Sequence, residues 1–413
     1  MKGSIMNKPE LLAPAGNLYK LKVALKYGAD AVYIGGEAFS LRTAADNFTH
    51  EEMAEGIKFA HDMGKKVYIT ANIIPHNRDL AEMERYFREI YELGADAVLI
   101  SDLGAFSICR EAAPQLEIHI STQANNTNYK TVEAWHRLGA KRVVLAREMS
   151  LSEIREIRDN IPNDCELEIF MHGAMCVSYS GRCLLSNYMT ARDSNYGACS
   201  HPCRWQYALM EEKRPGEYMP VFENERGTFI MNSKDLCMIE HIPELAACGV
   251  SSLKIEGRVK SGYYVATIVA AYRAAIDAYY ADPVNYKFNP AWLDEVCKVS
   301  HRDYYTGFFF GIPPAGAQIY GSSSYIRDYD IVGIVEAYDE KTGLARVAQR
   351  NRIFIGDEVE IMRPGKPFFT QKITEMADEN RVPIEVANHA AMTLYIKTEQ
   401  PAEKDAMIRK KAE

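Results

Sequence analysis

The feature that most constrains the fold is a phrase that recurs along the first two thirds of the chain. In it, a helical stretch ends at a glycine, a few residues follow, and a short β-rich run begins. Glycine adopts the left-handed conformation at a helix end at little cost and lets the chain turn back into a strand. Strands that alternate with helices pair in parallel, and their apolar character indicates a sheet covered on its outer face. The phrase reads YGADAVYIGG (27–36), MGKKVYITAN (63–72), LGADAVLISD (93–102), LGAKRVVLAR (138–147) and CGVSSLKIEG (248–257).

Three further β-rich runs bring the number of predicted parallel strands to eight: ELLAP (10–14), EIHIST (117–122) and ELEIFM (166–171). Eight is the number of strands that closes a (β/α)8 barrel. The alternative is a doubly wound open sheet, which usually has a glycine-rich phosphate loop after its first strand. This chain has LLAPAGN there. We therefore predict an α/β fold, a TIM-like barrel over 1–310, closed by an amphipathic helix over 262–282.

The remaining segments predict two smaller β structures. RWQYALME, EYMPVFE and GTFIMNSKDL suggest a small antiparallel insert after the seventh strand, within a Cys-rich region at 172–232, although the last run could also be a ninth barrel strand. Beyond residue 328 short alternating strands with turn signals follow, including a hairpin around 340–343. We expect a C-terminal β-barrel domain over 328–400 and a polar end, KDAMIRKKAE, that frays.

Composition narrows the class of protein. The 413 residues exceed one average domain, and 47% hydrophobic with 25% charged residues is ordinary globular composition. The longest apolar runs are only strand-sized and no signal-peptide stretch begins the chain, so we expect a cytoplasmic protein without a membrane contact. A net charge of −8 argues against nucleic-acid binding over the whole surface. A local basic strip remains open, with these candidates: Arg142, Arg147, Arg182, Arg204, Arg258 and Lys260.

Four of the nine cysteines are clustered, with the spacing C-x6-C-x15-C-x3-C: Cys176, Cys183, Cys199 and Cys203. Four soft thiolates from one loop-rich stretch suit tetrahedral zinc or an iron–sulfur cluster. Zinc favours pairs of close C-x2-4-C knuckles, so the wide first pair favours the cluster. Disulfides are the alternative, but cytoplasmic thiols are expected to be reduced. Cys237 is a reserve ligand, whereas Cys109 and Cys297 lie in predicted helices as small buried side chains.

Polar side chains follow the predicted strands where a barrel keeps its chemistry, at the carboxyl ends. Simpler roles are also open: Glu256 and Arg258 could form a salt bridge with each other, and His172 could be a buried hydrogen-bond donor. As catalytic candidates we take His172, Gln123, Glu256 and Arg258, and as substrate-binding candidates Glu37, Asn72, Arg147 and Lys260.

The region after the seventh strand resembles the signature of the peptidase U32, or collagenase-like, family. The residues that carry the resemblance are Glu168, Phe170, Gly173, Ala174, Met175, Cys176, Gly181, Cys183, Leu185 and Ser186. LLAPAGN, DAVYIGG, HISTQ, RPGEY, MNSKDL, SLKIEGR and HRDYYTGF agree as well, so the resemblance covers about residues 8 to 310. It implies that Cys176, Cys183, Cys199 and Cys203 hold a 4Fe-4S cluster, with zinc as the alternative.

The RPGEY to MNSKDL segment is most similar to the family branch that makes 5-hydroxyuridine at the tRNA wobble position. That resemblance implies a prephenate-linked hydroxylation enzyme acting on tRNA, with rRNA as the other RNA and with a homo- or heterodimer left open. The family name implies a peptidase instead, but the chain has neither HExxH nor GxSxG. A third reading is a non-catalytic RNA-binding or assembly protein, in which Tyr304, Tyr305, Phe308, Phe309 and Phe310 stack on bases.

Overall fold

The computed structural model describes residues 7–41, 47–176, 178–204, 234–313, 326–389 and 391–412, together with four short strands between 209 and 228. Its first seven strands form one parallel sheet in chain order. They coincide with seven of the strands that the sequence predicts, and most of their residues are buried. Their bounds are Glu10–Pro14 (β1), Ala31–Gly35 (β2), Lys66–Thr70 (β3), Ala97–Ile100 (β4), Glu117–Ile120 (β5), Arg142–Val144 (β6) and Glu166–Gly173 (β7).

Helices connect these strands and cover the outside of the sheet. Their N-termini are capped by side chains that the sequence supplies locally: Thr49 with Glu52, and Ser150 with Glu153, each form a capping box. The bounds are Leu18–Lys26 (α1), His50–Asp62 (α2), Leu80–Glu92 (α3), Leu103–Ala112 (α4), Tyr129–Leu138 (α5), Leu151–Asp159 (α6), Leu185–Thr190 (α7), Ile242–Ala246 (α8), Gly262–Ala281 (α9) and Pro290–Cys297 (α10).

In the described part of the segment after β7, five short strands precede the closure of the barrel. Leu209–Met210 (β8) pairs with Tyr218–Met219 (β9), and Glu223–Asn224 (β10) pairs with Gly227–Thr228 (β11), both antiparallel, as the predicted insert requires. Asp235–Cys237 (β12) instead pairs antiparallel with β7, so the end of GTFIMNSKDL is an added strand of the barrel sheet.

The barrel closes through Ser252–Ile255 (β13), which pairs in parallel with both β1 and β7. Tyr304–Tyr305 (β14) then extends the added edge by pairing with β12. The closed eight-stranded barrel confirms the predicted fold class. None of the helices in the described ranges combines the length and apolar character needed to cross a membrane.

The C-terminal region forms a seven-stranded antiparallel half-barrel sheet, with two shorter strands paired beside it. The predicted hairpin is present, since the first two strands below pair around residues 340–343. The strands are Tyr329–Asp339 (β15), Leu344–Gln349 (β16), Ile353–Phe354 (β17), Glu358–Met362 (β18), Phe369–Lys372 (β19), Met376–Ala377 (β20), Val386–Ala387 (β21), Thr393–Lys397 (β22) and Met407–Lys411 (β23).

The expectation that the polar end frays is wrong. KDAMIRKKAE contains β23, which lies between β15 and β18 in the middle of the second sheet. Its most polar inward residue, Arg409, is fully buried because Glu295 and Glu360 bind its guanidinium group. A charged side chain can occupy an interior position when carboxylates on neighbouring elements pair with it, and the sequence alone does not show those partners.

The second sheet packs directly against the barrel. Arg409 on β23 reaches Glu295 on α10, and the hydroxyl of Tyr27 after α1 donates to the carbonyl groups of Met362 and Asp405. Met362 also joins the core of the barrel, while the rest of the second sheet has a core of its own. The two parts are therefore joined by both apolar and ionic contacts.

Candidate functional site

A cavity opens at the carboxyl ends of the barrel strands. Its lining combines the interior of the barrel with the loops that follow the strands, and three of the lining side chains are cations while one is a carboxylate. The lining residues are Tyr33, Leu41, Thr70, Asn72, Leu99, Ser121, Thr122, Gln123, Arg147, Phe170, Lys254, Glu256 and Arg258. Five of the eight sequence-predicted catalytic and substrate-binding candidates are thus brought together: Asn72, Gln123, Arg147, Glu256 and Arg258.

Arg258 lies buried on one side of the cavity. Its Nη1 donates to Ser40 Oγ at 2.6 Å and to Thr70 Oγ1 at 2.8 Å. Gly35 at the end of β2 makes room for it, because a Cβ at Gly35 would lie 2.5 Å from Nη2. The position of this guanidinium group therefore depends on a glycine and two hydroxyl groups.

Arg147 also lines the cavity. Its guanidinium group lies 3.8 Å from the ring centroid of Phe170, donates to Glu256 Oε2 at 3.0 Å and donates to the carbonyl of Ala174 at 2.8 Å. Gly173 ends β7 with φ of +116°, and a Cβ there would lie 2.7 Å from the Glu256 carbonyl oxygen. Arg147 consequently ties the start of the Cys-rich segment to the cavity wall.

Lys254 forms the floor of the cavity. Its ammonium group lies 4.3 Å from the ring centroid of Tyr33 and donates to Glu168 Oε1 at 2.8 Å. Glu168 is fully buried below the floor, where Arg142 also donates to it, at 3.2 Å. Burial on its own would raise the pKa of Glu168, but Lys254 and Arg142 lower it to about 2, so this carboxylate is ionised at neutral pH.

The Cys-rich segment crosses the mouth of the barrel. Ser180 is held by Glu148 after β6, whose carboxylate accepts from the Ser180 N–H at 2.6 Å and from its hydroxyl at 2.7 Å. Arg182 donates to the carbonyl of Gln123 at 2.5 Å, and Asn125 donates to the carbonyl of Tyr179 at 3.0 Å. The segment is therefore fixed to the loops that follow β5 and β6.

The four clustered cysteines suit a soft metal in kind and number. All nine cysteines are free thiols, so the disulfide alternative is not formed. Cys176 is exposed, and Cys183, Cys199 and Cys203 are half-buried. Within the described ranges, however, no three His, Cys, Asp or Glu side chains are gathered closely enough to hold a metal ion. The four cysteines thus have the right chemistry for a thiolate-bound metal group, but within the described residues their sulfur atoms are not close enough together to bind one. Cys237 is buried on β12, with its sulfur 3.7 Å from the hydroxyl of Tyr272.

Three predicted site residues lie away from the cavity lining. His172 packs among Tyr264, Tyr272 and Tyr304, between β7 and α9, with its Nδ1 3.3 Å from the Tyr272 hydroxyl. Burial, with smaller contributions from His301 and Lys260, lowers the pKa of His172 to about 3, so the ring is neutral at pH 7. Glu37 is exposed beyond β2, and Lys260 Nζ donates to the carbonyl of Ser300 at 3.4 Å.

The predicted basic strip is divided between the two ends of the barrel. Arg142 belongs to the opposite end, because it begins β6 and is buried in ion pairs with Glu10, Glu166 and Glu168. Arg182 is exposed at the mouth, while the side chain of Arg204 lies outside the described residues. The aromatic run is mostly structural: Tyr304 is part of β14 and Phe309 is buried in the core, whereas Phe310 is exposed.

Sequence reasoning missed Lys254 and Glu168 as site residues. Both lie inside strands that are buried on both faces, where a charged residue is rarely found unless it is paired. That pattern, a lysine in SLKIEG and a glutamate in ELEIFM, is a signal that the sequence contains.

A closed parallel barrel whose polar cavity opens at the carboxyl ends of its strands defines the class: a (β/α)8-barrel protein with its site at the face where such barrels carry their chemistry. The model of peptidase family U32 matches residues 16–318, and the model of the peptidase family U32 C-terminal domain matches residues 327–409. The chain belongs to peptidase family U32.

Relatives with two kinds of name are similar to this chain over nearly its whole length. It is 45% identical to the tRNA hydroxylation protein P1 of Bacillus subtilis, over 99% of this chain and 96% of that protein. It is 42% identical to the tRNA hydroxylation protein P of Escherichia coli, over 92% of each. It is 32% identical to a collagenase of Porphyromonas gingivalis, over 91% of each.

Proposed function

We propose that this chain is an enzyme of tRNA hydroxylation, which converts the wobble uridine to 5-hydroxyuridine in a prephenate-linked reaction. The observation that carries the proposal is the barrel-mouth cavity, which is lined by three cations and two aromatic rings and lies next to a segment with four cysteines close together in sequence. Sequence identities of 45% and 42% to two proteins named for tRNA hydroxylation support the choice of tRNA as the substrate and of hydroxylation as the reaction.

The charge of the cavity favours a small organic anion as co-substrate. Arg147, Lys254 and Arg258 line it together with one carboxylate, Glu256. A guanidinium group presents several N–H donors in a plane, which suits a carboxylate ligand. Prephenate carries two carboxylates, so it matches a cavity that is lined by three cations.

We assign Cys176, Cys183, Cys199 and Cys203 as ligands of a 4Fe-4S cluster. Four thiolates are the usual ligand set of such a cluster, and zinc is the alternative for the same set. The cluster would supply redox or Lewis-acid chemistry near the mouth. The chain's own residues would bind and orient: Arg147 and Arg258 hold the anion, and Gln123 and Asn72 offer amide groups for hydrogen bonds at the mouth.

The geometry supports the peptidase hypothesis less well than the tRNA hydroxylation proposal. A cysteine peptidase needs a histidine that can take a proton from its thiol. His172, the histidine nearest Cys176 in sequence, is enclosed by tyrosine rings, whereas the Cys176 side chain is exposed. This pair therefore does not form a nucleophile and base. Because one relative is named a collagenase, gelatin cleavage is included in the test.

The test is a nucleoside analysis of cells that lack the gene. Total tRNA and rRNA are digested and examined by mass spectrometry for a nucleoside that is one oxygen heavier than uridine. The nucleoside should be missing from tRNA and return with the wild-type gene, but not with Arg258→Met. Arg88→Met, which removes an exposed arginine on α3, should restore it. A full nucleoside profile in both RNA classes, with gelatin cleavage that Cys176→Ser abolishes, would favour the peptidase instead.

A further inference from the structure

Lys254 is an unusual residue for its place in the fold. It lies in the middle of β13, a barrel strand in which every residue is buried. Burial of an ammonium group costs several kcal/mol unless the group is paired. Packing alone would be served by an apolar side chain here, so the presence of a lysine calls for a role in the cavity that it lines.

The ammonium group is set in place by residues that do not touch the cavity. The carboxylate of Glu168, on β7, accepts a hydrogen bond from the Lys254 ammonium group and another from Arg142. Arg142 in turn is held by Glu10 at 2.7 Å and by Glu166 at 2.7 Å, at the other end of the barrel. A continuous line of alternating charges thus runs up the barrel interior and ends at the cavity floor.

Two aromatic rings lie close to the ammonium group of Lys254. Its Nζ lies 4.3 Å from the centroid of Tyr33 and 5.3 Å from the centroid of Phe170. The guanidinium group of Arg147 lies 3.8 Å from the centroid of the same Phe170 ring, so both cations contact one ring of the cavity lining. Both can approach a single ligand in the cavity.

We propose that Lys254 is a substrate-contacting residue that binds a carboxylate of a small organic anion, and that Glu168 is a positioning residue that sets the height of its ammonium group. The inference rests on the proposed function, and it specifies how the cavity recognises its small substrate. An ammonium group has three N–H donors. With one directed to Glu168, others are available on the cavity side for a ligand oxygen.

The test is calorimetric titration of the full-length, anaerobically purified protein with prephenate and with the simpler dicarboxylate malate. Lys254→Met removes the charge at similar length and should weaken binding about 10- to 100-fold, because a hydrogen bond to a charged group is lost. Lys254→Arg should restore most of the affinity. Glu168→Asp keeps the charge but retracts the carboxylate by one methylene, so it should weaken binding about 5- to 10-fold by misplacing the ammonium group.

Two double variants separate binding from stability. Glu168→Gln with Lys254→Met removes both buried charges, so it avoids an uncompensated carboxylate and should still lose affinity. Asp235→Asn with Arg302→Met neutralises another buried pair, 3.1 Å apart and outside the cavity lining, and should leave affinity unchanged.

The inference is overturned if Lys254→Met, or the folded double variant of the floor, binds as tightly as the wild type. It is also overturned if Glu168→Asp has no effect, or if the wild type binds neither anion. A wild type that binds these anions through Lys254 while cells without the gene keep a full nucleoside profile would refute the proposed function and leave this assignment standing.

Discussion

Replacement of Arg409 by methionine tests whether the barrel and the second sheet are held together by one buried charge cluster. Arg409 is fully buried and forms two hydrogen bonds with Glu295, at 2.7 and 2.6 Å, and two with Glu360, at 2.9 and 2.6 Å. Methionine keeps most of the side-chain volume but cannot pair with either carboxylate.

The expected loss of stability follows from the partners that remain. Removal of one member of a buried ion pair costs about 3–5 kcal/mol, since it leaves an uncompensated buried charge. Lys298 stays within 2.8 Å of Glu360 and 3.4 Å of Glu295, and their side chains are 21% and 14% exposed. Because one cation and some water remain, we expect the lower end, about 3 kcal/mol.

The assay is urea denaturation, followed by circular dichroism and by tryptophan fluorescence. Arg346→Met is the matched control, because Arg346 on the same sheet is 50% exposed and pairs with Glu336 on the surface. Such a pair contributes less than about 1 kcal/mol. The reasoning is refuted if Arg409→Met lowers the free energy of unfolding no more than Arg346→Met does.

Three further predictions concern the site. Anaerobically purified protein should contain about four irons per chain, which Cys199→Ser should remove and Cys109→Ser should leave; stoichiometric zinc without iron would contradict the cluster. Because the pKa of Glu168 falls from 4.5 unfolded to about 2 folded, its stabilisation is complete above pH 4.5 and is lost as pH falls toward 2. From pH 6 to pH 3 the wild type should therefore lose about 2 kcal/mol more than Glu168→Gln in urea titrations, and equal losses would count against the buried ion pair. Gly35→Ala should displace Arg258 and reduce tRNA modification more than Gly64→Ala, which strains the backbone at φ of +67° but has open space around its Cβ position.

Several parts of the fold could be predicted from local patterns. The recurring glycine phrase marks the end of a helix and the start of a strand, so it predicted five of the eight barrel strands, and three β-rich runs predicted the others, without knowledge of contacts. The hairpin around residues 340–343 was predictable for the same reason, since its turn and alternation lie within one short segment. The prediction failed where a polar segment pairs with distant strands, as β23 does.

The sequence by itself determined the barrel, the clustered thiols and the polar residues at the strand ends, because each depends on spacing along the chain. Only the tertiary structure decided which of those residues share a cavity. It brings Arg147 to Glu256 and Arg258 to Ser40, and it packs the side chain of His172, on β7, against α9. The physical reason is that such pairings depend on strand register and on the room that residues such as Gly35 leave. These are properties of neighbours that are far apart in sequence, and no local pattern encodes them.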